Sequence, residues 1–293
     1  MWGSLWPLIV QEINLSKISK RPQHLPDFRS PPLSEVVLGV QFASPQGYNQ
    51  LLAYKVWELF RDEYPVVQEL PAIPPAFETF GLPQSEAFGG QFNFGIVTGG
   101  THDRFWFLRP TQDELIQFQH DRLLHNWRRL ADQQNEYPRF ETMITRYETE
   151  LERLENFAAT LVPQSLAINQ CEVSYNNQIS DDPAGSTSAL RTEDWLKLVN
   201  FGNRTPEDLT MSFREVVLSP DGRPRGRLIC EVRTGFSSSG QRVVMLTLTV
   251  RGTPTSPRIS DALQFLRDGR ELIVKTFTDV TTETAHQKWG RFQ

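Results

Sequence analysis

Apolar side chains recur at helical spacing through residues 140–158, which makes this stretch the longest amphipathic helix that the sequence predicts. Most of the residues between them are charged, as expected for a helix with one buried and one solvated face. The apolar positions are Phe140, Met143, Ile144, Tyr147, Leu151, Leu154 and Ala158. Asn135 is a candidate N-cap, Pro138 suits the first turn, and Pro163 marks the end.

Alternating apolar positions predict strands ahead of this helix. The expected order is a strand at 34–43, a helix at 48–64, and strands at 91–97, 104–109 and 114–126. The residues between the helix and the second strand, 69–90, are rich in Pro, Gly and Phe. A connection of this length is often functional.

The same order of elements is predicted after Pro163. A strand at 165–179 precedes a short helix that begins at Thr192. Strands at 209–218, 227–234 and 242–251 follow, and a helix at 259–280 closes the chain. Strands grouped without a βαβ rhythm are typical of the α+β class.

The sequence therefore predicts two similar halves, each a strand, a helix, three antiparallel strands and a helix. Duplication is inferred from element order alone, since no residue-level repeat is visible. We expect curved sheets packed on the long helices, and the sheets could either join or face each other across a groove. The expected division is a flexible extension at 1–25, a first half at 26–163 and a second half at 164–293.

Composition narrows the class of protein. The chain has 293 residues, 39% hydrophobic and 22% charged, with a net charge of −5. It is therefore not a generally basic nucleic-acid or membrane binder. Cys171 and Cys230 fall in apolar runs and are expected to be buried free thiols, which fits a reducing cytoplasm. The apolar patch near the start is too short to span a bilayer and is a poor secretion signal.

Several segments resemble a sporadically distributed bacterial family whose members are described only as hypothetical proteins under a numbered family model. The segments are LSEVVLGVQF (33–42), DRLLHNWRR (121–129), YPRFE (137–141), VSYNNQI (173–179) and FTDVTTETAHQKWGR (277–291). The resemblance covers residues 26–291 and implies no assigned activity. A patchy distribution is associated with phage defence and mobile elements. Relatives often carry a histidine in the last helix where this chain has Arg270, so no catalytic histidine is carried over.

No nucleotide-binding, zinc-protease, hydrolase or redox motif is present. We therefore nominate no catalytic residue, no metal ligand and no cofactor. His120 and His125 are close in sequence, but five residues apart on one strand their side chains would point to opposite faces. Glu172 and Glu231 are carboxylates that could serve an enzyme, without an identified base.

The binding candidates are polar and aromatic residues at strand ends and in the tail. Each also has a structural interpretation: a tryptophan can anchor a strand end, an asparagine can cap a turn, and the tail can pack back onto the sheet. They are Asn126, Trp127, Arg128, Arg129, Tyr175, Asn176, His286 and Trp289.

Arginines alternate in the second half and could track phosphates on one sheet face, although a solvated hairpin is the favoured interpretation because Asp221 and Glu231 are close in sequence and the chain is acidic. They are Arg223, Arg225, Arg227, Arg233, Arg242 and Arg251.

The leading functional hypothesis is a non-enzymatic interaction protein of the bacterial cytoplasm. It would bind a protein partner or itself, as a homo-oligomer, through the groove between the halves or through residues 69–90. One alternative is a nucleic-acid-binding module that uses the arginine hairpins. The other is a small-ligand sensor or enzyme with a pocket enclosed by the sheets.

Overall fold

A computed structural model of the chain describes residues 20–81, 103–130, 135–180, 191–204, 206–237 and 240–293. It is a mixed α+β structure. The strands are β1 (Leu33–Phe42), β2 (Val66–Leu70), β3 (Arg104–Leu108), β4 (Glu114–Gln119), β5 (Arg122–Arg128), β6 (Ile168–Ser180), β7 (Thr210–Leu218), β8 (Pro224–Phe236) and β9 (Arg242–Gly252). The helices are α1 (Ala53–Glu58), α2 (Phe140–Leu161), α3 (Thr192–Trp195), α4 (Ile259–Val280) and α5 (Glu283–Lys288).

The described strands form one antiparallel sheet in the order β2-β3-β4-β5-β1-β6-β9-β8-β7. The pairing of β1 with β6 joins the strands on either side of Pro163 into this single sheet. Of the two arrangements that the sequence left open, the sheets join rather than face each other.

The central strand shows why one face of the sheet is covered by helices. Val36, Leu38 and Val40 are at most 2% exposed, and they lie opposite Trp127, His125 and Leu123 of β5. This side, the helix face, carries α2 and α4. Alternate residues such as Glu35 and Gln41 point to the other side, because side chains in a strand alternate between faces.

The predicted long helices are confirmed, and the structure corrects several boundaries around them. The strand predicted at 114–126 is two strands, because the chain turns at His120 and Asp121 between β4 and β5. The helix predicted at 48–64 is a 3₁₀ turn followed by the short α1. β2 and α5 were not predicted, and the strand predicted at 91–97 lies outside the described residues.

The start of α2 also differs from the prediction. The helix begins at Phe140, after Arg139 in a left-handed conformation with φ of 71°. Asn135 does not cap it. Its amide instead donates to the Arg128 carbonyl and accepts the Leu130 N–H, at 2.9 and 3.0 Å. Asn135 therefore holds the chain against the end of β5 rather than starting the helix.

At the N-terminal end of the description, Leu25 is fully buried. Most of the extension predicted at 1–25 lies outside the described residues. Among the described helices, none has the length and apolar character that crossing a membrane requires.

Candidate functional site

The face opposite α2 and α4 is crossed by an extended segment, residues 71–80, which we call the strap. Two glutamine side chains hold its backbone. Gln119 accepts from the Ile73 N–H and donates to the Ile73 carbonyl, both at 3.0 Å. Gln41 does the same for Ala76, at 2.9 and 2.6 Å. Each glutamine amide thus supplies the donor and acceptor that a neighbouring strand would supply. We call this side of the sheet the strap face.

Further along, the strap is held by charge. The Glu78 carboxylate lies 2.7 Å from Nε of Arg227 and 3.5 Å from Nη1 of Arg251, and its side chain is 5% exposed. Arg227 also donates to the Thr79 carbonyl at 2.5 Å and lies over the Phe80 ring at 5.2 Å. The strap therefore spans from β4 to β8, and its acidic residue fits between two arginines that are cross-strand neighbours.

A chain of side-chain hydrogen bonds crosses the strap face where β1 pairs with β5 and β6. Glu35 of β1 is its centre and accepts from Asn126 at 2.7 Å and from Asn176 at 2.8 Å. Gln117 donates to Asn126, and Thr247 donates to Asn176, at 3.0 and 2.9 Å. Two of the predicted binding residues thus share one carboxylate that the sequence analysis did not single out.

A cavity of about 180 Å³ lies beneath the middle of the strap. The strap forms part of its wall, and the central strands form the rest. Its lining comprises Gly39, Val40, Gln41, Ile73, Pro74, Ala76, Arg122, Leu124, Gln170, Cys171, Glu172 and Arg251. One of the two carboxylates named from the sequence, Glu172, therefore faces this cavity.

The remaining strand-end candidates divide between the two faces. Trp127 and Tyr175 are buried, and both contact Tyr137. The Trp127 ring packs on the Tyr137 ring, with the ring centres 5.1 Å apart, and the Tyr175 hydroxyl forms a hydrogen bond with the Tyr137 hydroxyl at 3.1 Å. Arg128 lies over the Trp106 ring at 5.6 Å, and Arg129 is exposed. The cluster predicted at 126–129 is therefore split, with Trp127 in the core.

The tail candidates are packed inward. Trp289 stacks on Trp195 at 5.8 Å and on Phe277 at 5.3 Å. His286 is 1% exposed and lies 2.7 Å from the Thr281 hydroxyl. Of the two alternatives for the tail, the structure places these side chains against the body of the protein.

The six hairpin arginines do not line one continuous face. Arg225 bonds Asp268 of α4 at 3.2 Å, and Arg223 lies 3.2 Å from Asp221 at an exposed turn. Arg242 donates to the Pro206 carbonyl at the other end of the hairpin. The other three, Arg227, Arg233 and Arg251, occupy β8 and β9. Only Arg227 and Arg251 are brought together, and both face Glu78.

On the helix face, a buried ionic cluster joins β5 to α2. His125 Nδ1 lies 3.0 and 2.9 Å from the two oxygens of Glu150, and Nε2 lies 3.5 Å from Glu114. Burial alone would lower the pKa of His125, but the two carboxylates raise it to about 9. Tyr64 donates to Glu150 at 2.8 Å, and Arg146 pairs with Glu114. His120 lies in the turn between β4 and β5 and His125 lies in β5, so the two histidines do not share a strand as predicted.

This cluster ties the sheet to a helix. His125 is completely buried, and Glu114 and Glu150 are nearly so, so the cluster offers no surface to a substrate. Within the described ranges, no three His, Cys, Asp or Glu side chains group as a metal ion would require.

Both cysteines are buried free thiols, as predicted. Burial raises the pKa of Cys230 to about 12 and that of Cys171 further. Neither thiol is a reactive thiolate at neutral pH.

Sequence reasoning missed the residues that hold the strap, chiefly Gln41, Glu78 and Gln119, and it missed Gln170 in the cavity beneath the strap. A signal was available in β6, where Gln170, Glu172, Ser174, Asn176 and Gln178 occupy alternate positions. Strict alternation puts these five side chains on one sheet face. Only the pairing of strands reveals which polar residues of β1, β4 and β9 complete that face.

Searches against protein-family models, curated proteins and solved structures find no match to this chain. The resemblance to a sporadically distributed bacterial family thus remains a prediction.

Proposed function

We propose that this chain is a non-enzymatic binding protein that holds an extended peptide on its strap face. The peptide would come from a protein partner, or from the strap of a second copy. The proposal narrows the expected interaction surface to the face that residues 71–80 now occupy.

The observation that carries the proposal is how Gln119 and Gln41 hold the strap. Both glutamines bind main-chain N–H and C=O groups. Any peptide presents these groups, unless it has proline at the position whose N–H is bound. Main-chain hydrogen bonds supply affinity in peptide recognition, and side-chain pockets supply selectivity. The Glu78 site between Arg227 and Arg251 would supply the selectivity, favouring an acidic residue two positions before an aromatic one.

A binding role also agrees with the hydrogen bonding of the strap face. Asn126 and Asn176 are both engaged with Glu35, which fixes their orientation. Fixed polar groups on a rigid sheet suit recognition, because little side-chain entropy is lost on binding.

The strap would compete with any incoming peptide. A tethered segment acts at an effective concentration on the order of millimolar, so a partner must displace it. Weakening the strap should therefore improve binding of a peptide added in trans.

The test measures a labelled peptide with the strap sequence, PAIPPAFETF, by fluorescence anisotropy. Glu78→Gln in the protein weakens its own strap and should increase affinity for this peptide. Removing one partner of a buried ion pair costs about 3–5 kcal/mol, so a change of about tenfold or more is expected. The same peptide with glutamine in place of its glutamate should bind more weakly by a similar factor.

Glu152→Gln, an exposed change on α2, is the matched control and should leave the affinity unchanged. Arg251→Ala added to Glu78→Gln should reverse the gain. Equal binding of the acidic and the amide peptide, or no binding to either protein, contradicts the proposal. Sedimentation of the Glu78→Gln protein would separate a strap-exchanged dimer from capture of a foreign peptide.

We also propose that the two halves arose by duplication, and the strand order supports this. In each half the first strand pairs with the last, β1 with β5 and β6 with β9, and the last strand of each half is followed by a helix of 22 residues. The two first strands then pair with each other at the centre. A pseudo-twofold superposition of 33–161 on 168–280 should align these elements, and a failure to superpose them would contradict duplication.

A further inference from the structure

The cavity beneath the strap contains a buried donor without an acceptor. Gln170 is 2% exposed, and its Nε2 has no hydrogen-bond partner among the described residues. It lies on β6 directly beside Gln41 of β1, whose own amide binds the backbone N–H and carbonyl of Ala76. An unpaired buried amide costs about 1–3 kcal/mol, so the position favours an occupant that accepts a hydrogen bond.

The charged groups around the cavity are already paired with protein partners. Arg122 makes two contacts with Asp121, at 2.9 and 3.1 Å. Arg251 contacts Glu172 at 2.5 Å and Glu78 at 3.5 Å. A charged ligand would have to break these pairs or remain uncompensated in a partly buried site, which is costly. The charge balance therefore favours an uncharged occupant.

The size and the apolar part of the lining limit the occupant further. Leu124, Ile73 and Ala76 contribute apolar surface. The volume of about 180 Å³ exceeds that of an engineered apolar cavity in another protein, roughly 150 Å³, which binds benzene.

We infer that this cavity is a binding site for a small uncharged molecule that offers a carbonyl-type hydrogen-bond acceptor to Gln170 Nε2. The site goes beyond the peptide-binding proposal, since it lies under the strap and depends on Gln170 Nε2, which has no hydrogen-bond partner among the described residues.

The experiment titrates the full-length protein with benzamide, cyclohexanone and δ-valerolactam, each at millimolar concentration. Binding is followed by methyl chemical shifts of Ile73 and Leu124, which report on the cavity itself. At least one probe should shift the methyl resonances of both residues, and the shifts should reach a plateau as the probe concentration rises. Benzoate, the charged counterpart of benzamide, should bind about tenfold more weakly or not at all, because its charge would have no unpaired cation among the described residues of the cavity. A tenfold loss of affinity corresponds to about 1.4 kcal/mol.

Gln170→Leu separates a ligand site from a structural role. It removes the unpaired amide while keeping a similar volume, so the protein should melt at a higher temperature. The same variant should weaken probe binding about tenfold. Gln178→Leu, an exposed change on the same strand, is the control and should leave binding unchanged.

Four outcomes overturn the inference, three of them in the binding measurements. They are the absence of methyl shifts with every neutral probe, equal probe binding by Gln170→Leu, and tighter binding of benzoate than of benzamide. A lower melting temperature for Gln170→Leu would also do so, because Gln170 would then be satisfied in the empty protein. None of these outcomes bears on the anisotropy assay of the strap peptide, so the two proposals fail independently.

Discussion

The two long helices cover the same face of one sheet but contact it in different ways. Between α2 and the sheet lie large and polar side chains, with Tyr147 donating to the Leu123 carbonyl at 2.7 Å and Glu150 bound to His125 and Tyr64. Between α4 and the sheet the contact is apolar and close. A Cβ at Gly269 would come within 2.7 Å of Val173 and 3.1 Å of Val250.

The difference shows two solutions to packing a helix on a sheet. A glycine lets α4 approach until its backbone touches the strands, and dispersion and burial then stabilise the contact. Polar packing under α2 depends instead on satisfying every buried group. The two interfaces meet at a buried ion pair, 2.8 Å between Arg270 of α4 and Glu141 of α2.

The largest effect should come from breaking the ionic cluster under α2. His125→Ala leaves Glu150 buried without its cation, and breaking such a pair costs about 3–5 kcal/mol. Denaturant unfolding measures the loss. Glu152→Ala on the exposed side of the same helix should change the free energy of unfolding by less than about 0.5 kcal/mol. A loss below about 1 kcal/mol for His125→Ala would mean that the cluster contributes little.

Tyr64→Phe sharpens the comparison by removing one hydrogen bond without creating a cavity. The hydroxyl donates to the Glu150 carboxylate at 2.8 Å, and a hydrogen bond to a charged group is worth about 1.5–3 kcal/mol. Unfolding of Tyr64→Phe should show a loss in this range. Tyr54→Phe, at a tyrosine that is 55% exposed, serves as control, and equal losses for the two variants would contradict the assignment.

Gly269→Ala tests the close contact under α4. Alanine favours a helix over glycine by about 1 kcal/mol, but the added methyl overpacks against Val173, at a cost of about 1–3 kcal/mol. We expect a net loss of about 1 kcal/mol. Val173→Ala in the same protein should turn the glycine substitution into a gain. A stabilised Gly269→Ala single variant would show that α4 is not packed this closely.

The smallest effect near neutral pH is the titration of His125. Its pKa in the folded protein is about 9 against an ordinary 6.5. Its contribution to stability is therefore complete below pH 6.5 and is lost as pH rises through 9. Burial would raise the pKa of Glu114. The hydrogen bond with His125 and the positive charges of His125, Arg109 and Arg146 outweigh burial and lower this pKa to about 2. That contribution is present above pH 4.5 and is lost as pH falls through 2.

The pH profile of unfolding should consequently decline on the alkaline side. His125→Phe combined with Glu150→Met removes the titrating pair, and its decline between pH 6.5 and 9 should be shallower. An unchanged alkaline slope in this double variant would assign the decline to other groups.

Sequence reasoning performed best where a pattern is long and local. The bounds of α4 were predicted at both ends, and every residue of the apolar stripe of α2 is buried, although the helix also buries Glu141 and Glu150. The sequence was least informative about where the chain turns and about strands that are mostly exposed. The hairpin at His120 and Asp121 interrupts a run with continuous strand character, and β2 has no apolar alternation because most of it is exposed.

The candidate site was less predictable than the fold. Asn126 and Asn176 were chosen as separate candidates, and only the pairing of β5, β1 and β6 places Glu35 between them. Trp127 and Trp289 were chosen because aromatic residues are common at interfaces, yet both pack in the core. A residue type does not reveal which side of a sheet it faces.

The sequence by itself determined the class of the protein, its two long helices and the alternation that divides each strand into two faces, because these depend on periods of two and 3.6 residues. The tertiary structure alone decided that the strands form a single sheet, that residues 71–80 cross its polar face, and that Gln170 lies unpaired beneath them. These features depend on contacts between residues far apart in the chain, such as Arg227 with Thr79, and no local pattern encodes them.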